Sequence, residues 1–216
     1  MMRREPIHAV ASAYAKAKST IIAAGFADEI VWQEAASSAP LTEKRFLEEA
    51  AWVILSSGMR ETVIRKKFPE ISRCFFRWDS AQRIDRSAET CFQSALRCFN
   101  HPAKIRAIIE VARRISAKGF DQLQAEVKAD PIQAVKQFPF IGPTTCYHLA
   151  KNIGAQVAKP DRHLRRIAEV CGYDDVQMFC KEIAGFVGDP VPVVDIVLWR
   201  YATLSPQYVS LFPGGQ

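Results

Sequence analysis

The sequence lacks any apolar run long enough to cross a lipid bilayer. A transmembrane helix needs about 20 consecutive apolar residues, and no uncharged stretch of this chain reaches that length. The first six residues, MMRREP, lead into a segment that mixes alanine with lysine and serine, which is not typical of a secretory signal peptide. We therefore expect no membrane partner and an intracellular protein of the cytoplasm or nucleoid.

Cysteine pairs of the C-x-x-C type are also missing. The six cysteines are dispersed along the chain: Cys74, Cys91, Cys98, Cys146, Cys171 and Cys180. Dispersed cysteines on apolar helical faces are typical of reduced, packed thiols in an intracellular protein, and they lack the spacing of a zinc site. We expect no metal ion held by side chains.

The chain has no excess of acidic residues. Lysine and arginine number 29 against 23 aspartate and glutamate, which gives a formal charge of +6 and a pI near 9.1. This balance suits a polyanionic partner such as nucleic acid. A hydrophobic fraction of 49% with 24% charged residues favours a globular protein over a disordered one.

No long stretch alternates with the period of a β-strand, whereas helical periodicity is found nearly everywhere. Between residues 105 and 115 apolar side chains recur on one helix face, Lys104, Arg106 and Glu110 occupy the rest, and Gly119 is expected to end the helix. Residues 47–55 form a broader apolar stripe, which predicts a central, largely buried helix. We predict an all-α fold of about ten helices, with the best linker candidate at residues 37–41.

The most informative segment covers residues 138–168. One helix is predicted to end near Gln137, the chain then reverses, and Pro143 opens a second helix with Thr144 and Thr145 in its first turn. The unpaired N–H groups of such a helix start, preceded here by Gly142, can bind a phosphate. Contacts of this kind with a DNA backbone are independent of the base sequence.

These residues resemble the helix-hairpin-helix (HhH-GPD) superfamily of DNA glycosylases related to endonuclease III. In that family a Leu/Phe-Pro-Gly-hydrophobic-Gly turn is followed, about twenty residues later, by an aspartate in a hydrophobic-Asp-x-His-hydrophobic-x-Arg segment. Here residues 138–142 read FPFIG, and Asp161 follows nineteen residues after Gly142 in the segment PDRHLRR. The resemblance extends, with decreasing strength, back to Phe46.

The resemblance implies two helical lobes with duplex DNA in the cleft between them. Residues 40–154 would form a helical barrel ending in the hairpin, and residues 1–39 with 155–216 a second lobe that carries Asp161. Asp161 would be the catalytic carboxylate, stabilising positive charge on the sugar and helping to place or deprotonate the attacking water. After Lys159-Pro160 it is also an ideal N-cap, and the two roles are compatible because capping holds the carboxylate in place.

Three departures from the family pattern matter. Phe140 stands where the family usually has the first hairpin glycine, so the turn must either avoid positive φ there or bear strain. Thr144 stands where bifunctional members have the lysine that forms a Schiff base, so we expect a monofunctional enzyme that hydrolyses the glycosidic bond without cutting the strand. The four-cysteine loop of some members is missing, which predicts no iron–sulfur cluster and no other cofactor.

The resemblance also implies a set of DNA contacts and pocket residues. The DNA contacts lie in the hairpin, in the loop after the residue 47–55 helix and beside the aspartate: Phe140, Ile141, Gly142, Thr144, Thr145, Gly58, Met59, Arg60, Arg162, His163 and Arg165. The candidate pocket residues are Tyr147, His148 and Trp52, and a monovalent ion is expected on the backbone of Phe138 and Ile141. For Met59, the alternatives are a wedge that enters the opened duplex and a side chain packed under a neighbouring helix; for Trp52, core packing is the alternative.

Other functions stay open at this point. A catalytically silent hairpin protein that only binds DNA would use Asp161 as a cap alone. A glycosylase with lyase activity would need another amine, such as that of Lys159 or Lys151. The remaining acidic residue of interest, Asp195, is expected to complement a helix dipole, and no protein partner is predicted.

Overall fold

The computed structural model describes residues 4–215; residues 1–3 and 216, which belong to the predicted second lobe, lie outside the described residues. The described residues form thirteen α-helices and two short 3-10 turns, without a strand. The helices are α1 (Ile7–Ala23), α2 (Ala27–Ser38), α3 (Glu43–Ser56), α4 (Glu61–Cys74), α5 (Ala81–Arg86), α6 (Ala88–Cys98), α7 (Pro102–Lys118), α8 (Phe120–Ala129), α9 (Pro131–Lys136), α10 (Thr145–Asn152), α11 (Arg162–Val170), α12 (Val176–Val187) and α13 (Val191–Leu204).

The prediction of an all-α fold is confirmed. The helices outnumber the ten or so that were predicted because α5 and α9 have six residues each, less than two turns, and so little periodicity shows in the sequence. In the part of the chain that the structure describes, no helix combines the length and the apolar character that a membrane span requires.

The chain divides into two compact units. We call residues 40–153 the hairpin unit and residues 1–39 with 154–216 the aspartate unit. The predicted linker, residues 37–41, overlaps the first boundary, between Ala39 and Pro40.

The hairpin unit is built around α7, which packs against α3, α5 and α6. The start of α7 combines Pro102 in the first turn with a His101 side chain that accepts the Lys104 N–H, and the helix ends at Gly119, whose φ of +90° is easily adopted only by glycine. The predicted end at Gly119 is therefore confirmed. The prediction of a buried helix over residues 47–55 is confirmed by α3, which has seven buried apolar residues.

In the aspartate unit, α13 packs against α1, α2, α11 and α12. Eight of its fourteen residues are buried, and they lie on several sides of the helix because α13 has neighbours on several sides. Helix α11 is different because it buries a single narrow stripe, Leu164, Ile167 and Ala168, while its arginines lie on the exposed side. This amphipathic helix begins directly after Asp161.

Candidate active site

The hairpin is a tight turn between α9 and α10. Phe138 and Ile141 are both buried, and the Ile141 N–H donates to the Phe138 carbonyl oxygen at 3.2 Å. Phe138 also packs on Phe46 of α3, with ring centroids 5.5 Å apart. The two apolar residues therefore anchor the turn on the core of the hairpin unit.

Phe140 adopts a φ of +62°. The turn therefore does not avoid positive φ at this position and bears strain, which is the second of the two predicted alternatives. A non-glycine residue in this region costs about 1–2 kcal/mol. The Thr145 hydroxyl oxygen accepts the Gly142 N–H at 2.6 Å and lies 3.3 Å from the Phe140 carbonyl oxygen, to which the hydroxyl can donate. These contacts hold the turn closed and leave the Phe140 side chain 42% exposed.

The second helix of the hairpin, α10, starts two residues later than predicted, at Thr145 instead of Pro143, with Thr144 at its N-cap position. As predicted, this helix start has unpaired N–H groups: no acceptor among the described residues takes those of Thr144 and Thr145. The N–H groups of Ile141 and Gly142 are already bonded within the turn. A phosphate would therefore meet the threonine N–H groups rather than those of the turn itself.

Asp161 is the N-cap of α11. One carboxylate oxygen, Oδ1, accepts the backbone N–H groups of His163 at 2.9 Å and Leu164 at 3.1 Å. No donor among the described residues bonds the other oxygen, Oδ2. The side chain is half-buried. One oxygen is committed to the helix, while the second remains for another group.

The structure thus contains the predicted turn between two helices and, nineteen residues after Gly142, the aspartate cap. Comparison with solved structures matches the 8-oxoguanine glycosylase/lyase of Methanocaldococcus jannaschii, whose crystal structure contains a 15mer DNA with 8-oxoguanine, at a TM-score of 0.60 and 16% identity. The match covers 90% of this chain and 97% of that chain. The fold is that of the helix-hairpin-helix DNA glycosylases. No protein-family model and no curated protein matches the chain.

Within this glycosylase fold, the loop between α3 and α4 carries the predicted Gly58, Met59 and Arg60. Gly58 has a φ of +68°, and Arg60 is the N-cap residue of α4. Met59 is 39% exposed, so its side chain is not buried under a neighbouring helix. The loop therefore presents an apolar side chain beside a basic one.

The sequence does not predict the burial of Lys104. The periodicity of α7 places it on the polar side, yet it is only 3% exposed. Its ammonium donates to the carbonyl oxygens of Leu55 at 2.7 Å and Ser57 at 2.5 Å, at the C-terminal end of α3, and burial lowers the pKa of Lys104. The Lys104 side chain therefore supports the start of the Met59 loop, and a lysine in the first turn of a helix gives no sequence signal for this.

The same end of α7 also contacts the hairpin turn. The His101 ring stacks on Phe99 at 6.0 Å between centroids and meets the edge of Phe140 at 6.3 Å. The hairpin turn and the Met59 loop are thus both held by residues at the start of α7.

The candidate pocket residues of the hairpin unit are half-buried. Trp52 packs edge-on against Phe68 at 5.2 Å and lies under the Arg65 guanidinium, 5.6 Å from its ring centroid. This environment agrees with packing between α3 and α4. Tyr147 and His148 lie on α10, after the hairpin, and both are partly exposed.

The predicted contacts beside Asp161 lie on α11. Arg162 and Arg165 are exposed, whereas His163 is half-buried with its ring edge-on to Tyr208 at 5.2 Å. Burial lowers the pKa of His163, and the nearby Asp161 carboxylate opposes this shift. His163 therefore combines packing on Tyr208 with a position next to the candidate catalytic group.

The segment before Asp161 contains two further contacts that the sequence did not reveal. The Gln177 amide bonds the backbone of Ala158, and the Asp195 carboxylate accepts the Lys159 N–H. Asp195 lies in the second turn of α13 and is 2% exposed; the helix-dipole role stays a prediction, and the bond to the Lys159 backbone is a contact that it does not include. Both contacts join residues that are distant in sequence, which explains why no local pattern predicts them.

Proposed function

We propose that the protein is a DNA glycosylase that hydrolyses the N-glycosidic bond of a damaged or modified base and leaves an abasic site. The observation that carries this proposal is that only one of the two oxygens of the Asp161 carboxylate is used to cap the helix. Oδ1 is bonded to two N–H groups of α11, while Oδ2 is left for a group outside the protein. A side chain that only capped the helix would not need a second oxygen that a DNA sugar can reach.

The chemistry follows from the charge that develops on the sugar. Cleavage of the bond between base and C1′ builds positive charge on the ribosyl ring, and the base leaves with the bonding electron pair. A fixed carboxylate stabilises that charge and can accept a proton from the water whose oxygen forms the new bond to C1′. The departing base takes up a proton, so the products are the free base and an abasic sugar.

The hairpin unit supplies features suited to duplex DNA. The N–H groups of Thr144 and Thr145 at the start of α10 suit a backbone phosphate, and the formal charge of +6 favours association with the polyanion. A target base must leave the stack before its glycosidic bond can be reached. The exposed side chains of Met59 and Phe140 are suited to contact the bases or sugars of such an opened duplex.

We further propose that the enzyme is monofunctional. A Schiff base with the sugar requires an amine, and Thr144 offers only a hydroxyl. A glycosylase with lyase activity is the second candidate, and one observation favours it: Lys159, a half-buried lysine, precedes Asp161 by two residues. Lys151 is a weaker candidate because its side chain is buried on α10.

The decisive experiment incubates the protein with duplexes that each carry one lesion: an alkylated purine, an oxidised guanine, a deaminated pyrimidine or a bulkier modified base. Alkali then converts abasic sites into strand breaks. We expect breaks only after alkali, with no covalent adduct in the presence of borohydride. Breaks without alkali together with a borohydride adduct would support the lyase, and binding without base release from any duplex would support the silent DNA-binding protein.

An intracellular location and the absence of an iron–sulfur cluster or other cofactor remain predictions from the sequence. The predicted monovalent ion also stays a prediction. The Phe138 carbonyl oxygen already accepts the Ile141 N–H and keeps one further lone pair for such an ion. No step of the proposed reaction depends on it.

A further inference from the structure

We propose that Gln177 and Asp195 are positioning residues that hold the chain segment leading into Asp161, and that this placement serves catalysis. The inference rests on the proposed glycosylase function. We call residues 158–160 the lead segment. It is the last part of the connection between α10 and α11, directly before Asp161, and belongs to no helix, so its backbone polar groups need partners from elsewhere.

Gln177 holds the first residue of the lead segment with both ends of its amide. Its Nε2 donates to the Ala158 carbonyl oxygen at 2.6 Å, and its Oε1 accepts the Ala158 N–H at 3.0 Å. Gln177 is itself held at the start of α12, where the Asp175 side chain accepts its N–H at 2.9 Å. A two-point contact from an anchored side chain fixes both the position and the orientation of the Ala158 peptide groups.

Asp195 holds the second residue. Its Oδ2 accepts the Lys159 N–H at 2.6 Å, a charge-assisted hydrogen bond. The neighbours of Asp195 along α13 are fully buried valines and a leucine, and a carboxylate in such surroundings is costly unless it is well bonded. The helix itself does not require an aspartate at this point, because an apolar residue would pack there without that cost.

Two contacts complete the arrangement next to Asp161. The Arg165 Nε donates to the Pro160 carbonyl oxygen at 2.9 Å, and the Asp161 N–H donates to the Lys159 carbonyl oxygen at 2.8 Å. Each residue of the lead segment is therefore bonded by a side chain from a different helix: α12, α13 or α11. Asp161 is held from the upstream side by these bonds and from the downstream side by its own cap.

Such a placement matters for catalysis because misplacing a catalytic group by about 1 Å can cost about 100-fold in rate. Supporting hydrogen bonds are the usual means of holding a group within that tolerance. The competing explanation is that Gln177 and Asp195 only satisfy backbone groups for folding. The two explanations differ in what happens when the bonds are removed from a protein that still folds.

The test uses Asp195→Leu and Gln177→Met, which remove the polar contacts with side chains of similar size. The conservative Asp195→Asn keeps an oxygen that can accept the Lys159 N–H. The matched control is Tyr14→Phe, which removes another side-chain hydrogen bond within the aspartate unit, that of the buried Tyr14 hydroxyl to Asp189 at 2.5 Å, without touching the lead segment. Thermal unfolding, the dissociation constant for an intact lesion duplex, and the single-turnover rate of base release at saturating protein are measured for each.

We expect Asp195→Leu and Gln177→Met to fold and to bind the duplex like the parent protein, with base release slowed by about 10- to 100-fold. Asp195→Asn should keep most of the parent rate, and Tyr14→Phe all of it. Parent-like rates in folded Asp195→Leu and Gln177→Met would overturn the proposal. So would a failure of both to fold, or an Asp195→Asn rate as low as that of Asp195→Leu, which would indicate a role for the charge instead. If the parent protein itself releases no base from any duplex, the proposed glycosylase function is wrong. That result differs from a parent protein that is active and variants that are equally active, which would overturn only the positioning role.

Discussion

Asp161 provides the sharpest test because its two roles can be removed separately. Asparagine is as good an N-cap as aspartate, and its side-chain oxygen can accept the same two N–H groups that Oδ1 accepts at 2.9 and 3.1 Å. Asp161→Asn therefore removes the charge and keeps the cap, whereas Asp161→Ala removes both. The two variants separate the contribution to folding from the contribution to chemistry.

The expected magnitudes follow from these contacts. Losing the cap costs about 1 kcal/mol, which lowers Tm by about 2–4 °C in a chain of this size, so Asp161→Ala should unfold earlier and Asp161→Asn should unfold with the parent protein. Losing the charge removes electrostatic stabilisation of the transition state, so both variants should release base at least about 100-fold more slowly. Binding to an intact lesion duplex should persist in both, since no contact that favours DNA is lost.

The assays are calorimetric or circular-dichroism unfolding, alkali-revealed base release in single turnover, and fluorescence anisotropy with labelled duplex. Base release by Asp161→Asn at the parent rate would refute the catalytic role. A drop in Tm for Asp161→Asn as large as that for Asp161→Ala would refute the cap geometry on which the placement of the carboxylate depends.

Four further outcomes are expected. Lys104→Met should lower the free energy of unfolding by about 1–3 kcal/mol in urea titrations, since two carbonyl oxygens at the end of α3 lose their donor; an unchanged value would show that those bonds contribute nothing. Met59→Ala should slow base release from a paired lesion by about tenfold and affect an already unpaired nucleotide less, so equal slowing on both substrates would count against a wedge. Phe140→Gly should weaken duplex binding by about 5- to 10-fold, measured by anisotropy, if the exposed ring contacts DNA, and unchanged binding would exclude that contact. A maleimide should label Cys74 and Cys98 in the folded protein, and the four buried cysteines only after unfolding, as read by mass spectrometry; labelling of all six under native conditions would contradict the packing.

Some features of the site followed from short-range patterns. Asp161 after a proline and before an amphipathic run indicates an N-cap, and the structure shows that cap with two hydrogen bonds. The hairpin turn was also predictable, because Pro139 and Pro143 restrict the backbone of their own neighbourhood and Gly142 permits a tight turn. The strain at Phe140 was foreseen only as one of two alternatives, since its φ depends on contacts that Thr145 makes after the chain has turned.

By itself, the sequence determined the helical class, the end of α7 at Gly119, the hairpin and the capping role of the aspartate that follows it, because each of these depends on residues within a few positions of one another. Tertiary structure alone decided the burial of Lys104 against the end of α3 and the contacts of Gln177 and Asp195 with the segment before Asp161. Those contacts join groups 19 to 49 residues apart. The local sequence pattern around a polar side chain is the same whether that side chain contacts water or a distant backbone group. Only the packing of the helices determines which of the two it contacts.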